Sequence, residues 1–189
     1  MKNIFNRIKY MFRDYYIYYA DIAELLNKAE EVVSPLPNGL DIVKLTKDNK
    51  GLYKCRWNVN KMLSVDGDVW AVVDRNTDIV AWNYGTYRDN DSMFFSVKNC
   101  DFESIEIYVD EKFRRKGVAF HLLYHTIKEL NPEKIKIGRV ATCIRPDNIS
   151  SIKLHELIGY KRSRRVRLIH IAKIRDGRFT YINFPHYTI

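Results

Sequence analysis

The chain has 189 residues, 46% hydrophobic and 29% charged, a composition that supplies one domain with a proper core, is too short for two comfortable ones, and excludes intrinsic disorder. Three cysteines, Cys55, Cys100 and Cys143, are odd in number and form no C-x-x-C pair, which argues against a disulfide framework and a cysteine-rich zinc site and fits a reducing cytoplasm. Residues 112–178 hold 18 Lys and Arg against 5 Asp and Glu, so the rest of the chain is net acidic despite the overall +9, and the basic half is expected to face something anionic.

In chain order, Ile4, Ile8, Met11, Tyr15, Tyr18, Ile22 and Leu25 recur at spacings of four and three, which predicts a helix running to about Glu31. The first residues are basic, but Arg13 and Asp14 interrupt the apolar stretch and no small-residue cleavage site follows, which argues against a signal peptide, and no window is apolar enough to span a membrane. Ser34-Pro35-Leu36-Pro37-Asn38-Gly39 ends the helix, so residues 1–39 are expected to form a helical appendage with its linker and residues 40–189 the main domain. There, Asp41 to Thr46 reads as a strand, Asn49 to Leu63 as helical, and Val69 to Val73, Ile79 to Tyr87 and Glu103 to Val109 as strands. Phe120 to Leu130 reads as a helix stopped by Asn131-Pro132, Ile135 to Ile144 as a strand, and Asn148 to Ile158 as a helix capped by Gly159. Lys161 to Ile171 and Arg178 to Phe184 close an α+β pattern.

Between strand and helix lies Val109-Asp110-Glu111-Lys112-Phe113-Arg114-Arg115-Lys116-Gly117-Val118-Ala119. A basic triplet plus glycine alone reads first as a solvated turn. Cations at a helix start, however, oppose the macrodipole by roughly 0.3–1 kcal/mol each, and a bound anion there would compensate them.

This segment resembles motif A of the GNAT superfamily, the acyl-CoA-dependent N-acyltransferases, whose loop reads Arg/Gln-x-x-Gly-x-Gly/Ala. Arg114, Gly117 and Ala119 fill its three positions, and Val109 fills the strand end before it. Asn148 to Tyr160 is similar to the family's Asn-x-x-Ala-x-x-Leu-Tyr-x-x-x-Gly-Phe segment: Asn148, Leu154 and Gly159 match, Ser151 and Tyr160 are close substitutes, and His155 stands where the family has tyrosine. The resemblance covers about residues 40 to 184. It implies the GNAT fold, a mixed, mostly antiparallel sheet of about seven strands with flanking helices, here with an N-terminal helical extension.

It further implies acetyl-CoA as co-substrate, with no metal, and an acyltransferase moving an acetyl group, not an amino-acyl group, to a primary amine. The pyrophosphate would lie on the amides of Arg115, Lys116, Gly117, Val118 and Ala119 with Arg114 alongside. The pantetheine arm would bond the backbone of Ile107 and Val109 in a slot where two strands splay, and the Val109 N–H would polarise the thioester; Asn148 and Ser151 would border the cofactor. A lysine-like amine with pKa about 10.4 must lose a proton before attack. Glu103, six residues before Val109, is the favoured base over Glu106, which an unbroken strand would turn to the opposite face. His155 would protonate the departing thiolate or orient a water.

His121, His125 and Glu129 at spacings of four read as a solvated helix face in preference to a metal stripe, and Cys143 lacks an identifiable base. The N-terminal helix is expected to pack on its own domain or on a second copy in a homodimer, in preference to a membrane surface. Arg162, Arg164, Arg165 and Arg167 would border the acceptor, which fits an acidic or phosphorylated amine, although no nucleic-acid module accompanies them. The alternative is a catalytically inactive acyl-CoA-binding module of the same fold.

Overall fold

The structure is a computed structural model that describes residues 12–32, 35–55, 63, 67–87, 99–175 and 178–188. One sheet of eight strands organises it: β1 (Phe12–Asp21), β2 (Leu40–Leu45), β3 (Gly67–Asp74), β4 (Ile79–Tyr87), β5 (Phe102–Val109), β6 (Arg139–Ile144), β7 (Lys161–Arg175) and β8 (Arg178–Thr188). Their spatial order is β2-β3-β4-β5-β6-β1-β7-β8. Every neighbouring pair is antiparallel except β5 and β6, so the mixed, mostly antiparallel sheet expected from the resemblance is present, with eight strands.

Helices α1 (Ile22–Val32), α2 (Val118–Lys128) and α3 (Ile149–Leu157) complete the order. Strand β4 is buried along its whole length, and α2 covers it with Val118 and Leu122 against Trp70, Val72, Val80 and Ala81. On the same side, Phe120, Leu123 and Ile127 of α2 join Leu25 and Ala29 of α1 and Tyr18, Phe102, Val140 and Tyr160 in a second cluster. His121 is buried and His125 meets the Trp70 ring edge-on at 4.7 Å, so this part of α2 faces the core and not solvent. Of the helix expected over 49–63, the described residues show a 3-10 turn at Lys50–Leu52 and a helical Leu63; residues 56–62 lie outside the described residues, as do residues 1–11.

The predicted N-terminal helix is a strand followed by a helix. Residues 12–21 form β1, paired with β6 on one side and β7 on the other, and among the described residues of this stretch the helix is Ile22–Val32. The cause is a strand covered on both faces. Tyr16, Tyr18 and Ala20 face the helical cluster while Tyr15 and Ile17 face a separate cluster with Cys100, Ala141 and Val166, so the polar/apolar alternation of a half-buried strand is missing and a helical stripe can be drawn through the same residues. Helix α1 packs on its own domain: Tyr124 donates to Glu30 at 3.0 Å, Lys161 to Glu24 at 2.8 Å, and Ile22 N–H to the Gly138 carbonyl at 2.8 Å.

Arg162, Arg164, Arg165 and Arg167 of β7 are fastenings for β1. Arg167 donates to Asp14 at 2.9 Å and Arg165 donates to the same carboxylate, Arg162 lies 4.9 Å from the Tyr16 ring, and Arg164 interacts with Tyr19. The Arg167 hydrogen bond, followed by Arg165, holds the Asp14 carboxyl below its usual range.

Asp101, 1% exposed, sits just before β5. Its carboxylate accepts backbone N–H bonds from Lys136 at 3.0 Å, Ile137 at 2.9 Å, Gly138 at 2.7 Å and Arg139 at 3.2 Å, and its own N–H donates to the Arg139 carbonyl at 2.7 Å. Burial opposes the charge, but these donors outweigh it and hold the Asp101 pKa below its ordinary value. A depressed folded pKa contributes stability that is present above the unfolded value of about 3.9 and is lost as pH falls through the folded one. Asp101→Asn is expected to cost about 1–3 kcal/mol at pH 7 and progressively less as pH is lowered below about 3.9, measured by urea unfolding across that range.

Candidate functional site

Strands β5 and β6 stay together for three register pairs only, Phe102↔Val140, Glu103↔Ala141 and Ser104↔Thr142. Beyond them β5 follows β4 and β6 follows β1. The register between β4 and β5 slips where Tyr84↔Glu106 is followed by Gly85↔Ser104, which leaves Ile105 as the extra residue of a bulge and bends β5 away. Gly85 permits the bend: a Cβ there would lie 2.1 Å from the Phe102 ring. At the point of divergence, Ser104 Oγ donates to Asn83 at 2.9 Å and Asn83 donates to Thr126 of α2 at 3.1 Å, a buried network that joins β5, β4 and the helix.

The divergence opens a cavity of about 280 Å³, lined on the β5 side by Ser104, Ile105, Glu106 and Ile107, on the β6 side by Thr142 to Arg145, and closed by Tyr15, Asn148, Ser151 and His155. Asp110 N–H donates to the Val80 carbonyl at 2.8 Å; in an antiparallel pair the alternate residues point the other way, which turns the backbone groups of Val109 and Ile107 toward the slot. Arg114 Nε reaches the outward Val109 carbonyl at 3.0 Å.

The strand leads directly into the basic loop. Arg115 and Gly117 have φ of 59° and 76°, left-handed values that curl the backbone between β5 and α2, and only at Gly117 does the residue type make such a value easy. Gly117 is the N-cap of α2 and offers no side-chain cap, and the first turn carries no acidic residue. Its carbonyl accepts from His121 N–H at 3.0 Å, so the N–H groups of Val118, Ala119 and Phe120 precede the first helical bond and are free to gather an anion. Arg114, Arg115 and Lys116 are exposed around them.

Both candidate carboxylates lie on one face. Glu106 is opposite Tyr84 and Glu103 opposite Thr86, two residues apart on β4, because the bulge at Ile105 cancels the parity change that a spacing of three would bring. That corrects the expectation that they face opposite ways. They differ in surroundings: Glu106 lines the cavity, and burial raises its pKa, although its side chain keeps contact with solvent. Glu103 is 7% exposed, does not line the cavity, and takes a hydrogen bond from the Cys143 thiol. Burial and then Glu103 push that thiol well above its usual pKa.

His155 is 1% exposed. Its Nδ1 lies 2.8 Å from the Ser151 carbonyl, an acceptor, so Nδ1 carries the proton and Nε2 the lone pair. Burial lowers the pKa to about 4. A ring neutral at pH 7 with its proton engaged by Ser151 is poorly placed for the proton-donor role expected for His155. Nε2 has no hydrogen-bond partner among the described residues. Asn148 and Ser151 also line the cavity, but the Asn148 side chain caps α3, accepting from Ser151 N–H at 3.2 Å. Among the described residues, no three His, Cys, Asp or Glu come together as a metal site. Tyr15, the face on which Glu106 lies and the neutral state of His155 escape sequence reasoning, since each depends on β1, on the bulge or on burial.

The fold has counterparts among known proteins. The sequence profile of the acetyltransferase (GNAT) family matches residues 40–160, and no curated protein matches the chain. Among solved structures, a Drosophila protein is similar at TM-score 0.61 and 16% identity, covering 87% of this chain and 56% of its own. A GCN5-related N-acetyltransferase-like protein from Streptococcus suis is similar at TM-score 0.52 and 15% identity, covering 88% and 65%. A tandem GNAT protein from the clavulanic acid biosynthesis pathway is similar at TM-score 0.61 and 10% identity, covering 82% and 51%. The chain thus spans between half and two thirds of the length of these structures. With the matched segment running from β2 to the residue before β7, through the splayed strands, the amide loop and α3, the chain belongs to the acetyltransferase (GNAT) family.

Proposed function

We propose that the chain transfers an acetyl group from acetyl-CoA to a primary amine by direct attack through a tetrahedral intermediate. The observation that carries the reading is the continuity of the β5/β6 slot with the amide loop at Gly117, one end suited to an extended thioester arm and the other to a pyrophosphate. The loop amides of Arg115 to Ala119 hold the phosphates, with Arg114 and Lys116 adding charge. The backbone of Ile107 and Val109 pairs with the pantetheine arm, and the Val109 N–H stabilises the oxyanion. The raised pKa of Cys143 favours direct transfer over an acyl-cysteine, because a thiol that stays protonated is a poor nucleophile.

Glu106 is the better base. It lines the cavity, and burial moves its pKa toward the working range, whereas Glu103 is occupied with Cys143. His155 holds the start of α3 through Ser151 and presents Nε2 as an acceptor only, so the thiolate takes its proton from solvent or from the base.

Binding and turnover test this separately. CoA at a hundredfold excess over Kd is expected to stabilise the protein by about 2.7 kcal/mol, read as a rise in Tm, and Gly117→Ala is expected to remove most of that rise, since a side chain at a left-handed φ costs about 1–2 kcal/mol. Thiol release from acetyl-CoA over a panel of amines then reports transfer; CoA binding with no release from any amine would leave the acyl-CoA-binding module as the reading.

Substituting the carboxylates one at a time assigns the base. Glu106→Gln is expected to lower kcat by about 10²–10⁴-fold, the remaining rate climbing with pH as more amine is free, while Glu103→Gln keeps the wild-type pH profile. The reverse pattern would restore Glu103 to the role. His155→Phe is expected to retain the rate with acetyl-CoA within a few-fold; a loss approaching that of Glu106→Gln, with a changed pH profile, would return His155 to the proton path.

A further inference from the structure

The cavity has a side that the family-matched segment does not supply. Tyr15 belongs to β1, which precedes residue 40 where the match begins, yet it is 6% exposed and lines the slot. Its place is set by register: Tyr16↔Ile144 and Ile17↔Cys143 bring Tyr15 to the end of β6, and its cluster with Ile17, Ala141, Val166 and Cys143 puts it on the face away from α1, α2 and α3. Glu106 is on that same face from the β5 side, so Cys143 lies between a tyrosine ring and a carboxylate.

The charges around this opening decide what it accepts. The cations that suggested an acidic or phosphorylated acceptor are engaged, Arg165 and Arg167 with Asp14, Arg162 with the Tyr16 ring and Arg164 with Tyr19, and Arg145, which lines the cavity itself, pairs with Asp147. Glu106 is the acid among the residues lining the cavity. A carboxylate beside an aromatic ring in a half-buried opening attracts alkyl ammonium groups, by ion pairing and by cation–π contact, and repels phosphate.

Resting on the transfer reading above, we propose that Tyr15 and Glu106 select the acceptor and that the acceptor class is an aliphatic amine free of anionic groups, a diamine being the simplest member. One nitrogen lies at Glu106, which draws in the ammonium and takes its proton. The second ammonium lies over the Tyr15 ring. Specificity for the acceptor thereby draws on the N-terminal strand as well as on Glu106 of the matched segment, while donor binding rests on the matched segment.

Calorimetric titration of the full chain saturated with CoA, which has no acyl group to transfer, tests this without turnover. Propane-1,3-diamine and 3-aminopropyl phosphate are the probes. The diamine is expected to bind at least tenfold tighter than the phosphate. Tyr15→Ala and Glu106→Gln should each weaken the diamine about tenfold, and Tyr15→Phe should keep its Kd within threefold, all with the Kd for CoA unchanged. Glu106 has an exposed side chain, so its variant retains the fold if Tyr15→Ala does not. Equal or tighter binding of the phosphate, no measurable diamine binding at millimolar concentration, or an unchanged diamine Kd in Glu106→Gln overturns the proposal. Diamine binding as expected with no acetylation of any amine would uphold this site and remove the transfer reading.

Discussion

The slot depends on the clamp that Asp101 places on residues 136–139. Two parallel strands with three register pairs have little ladder of their own to hold them, and parallel pairing is slightly weaker per residue than antiparallel. The carboxylate compensates by taking backbone donors from the segment that leads into β6 while sitting at the entrance to β5, so the two strands start from one fixed point. From there the bulge at Ile105 and the close contact of Gly85 with Phe102 set the direction in which they part. The Ser104–Asn83–Thr126 network then ties the parting point to α2, whose N-terminus is the anion loop. The opening between the strands and the amides at its end are therefore held in one frame, as positioning of a reacting group requires.

The basic residues of the second half divide by what neutralises them. Arg162, Arg165 and Arg167 of β7 face a ring and an acid of β1, and their work is done within the fold. Those at the start of α2 have no acidic residue in the first helical turn and lie at the end of the dipole where cations are disfavoured. Composition alone counts both groups as one basic half. Pairing separates a fastening from a candidate binding surface, and of these two groups it is the loop group that retains charge to meet an external anion.

Much of the chain is legible from sequence because local patterns and tertiary environment agree. The strand at Ile79–Tyr87, the helices around Val118–Lys128 and Ile149–Leu157, and the loop between Val109 and Gly117 all carry signals that neighbours reinforce. The misses share a cause: a tertiary fact reverses a local rule. Strand β1 is covered on both faces, so its alternation disappears. One extra residue in β5 shifts the parity between Glu103 and Glu106, and no residue type in Ser104-Ile105-Glu106 announces a bulge. His155 is recognisable as the odd residue of its motif, but its tautomer follows from the Ser151 carbonyl and its protonation from burial, neither of which spacing encodes.

Strand β1 also changes what counts as the domain. Placed between β6 and β7, it satisfies the backbone groups of both, which would otherwise present two open edges in the middle of a sheet. Ile17 and Tyr18 are completely buried there, and at about 25 cal/mol per Å² of apolar surface such side chains contribute on the order of 2 kcal/mol each. The arginines of β7 add orientation more than energy, since exposed ion pairs are worth little singly, but a carboxylate shared by Arg165 and Arg167 fixes the register of the strand. Register is what carries Tyr15 to the slot, because a shift of one residue would exchange the faces of the whole strand. The same pairing that completes the sheet thus determines which side chain stands at the acceptor side of the cavity.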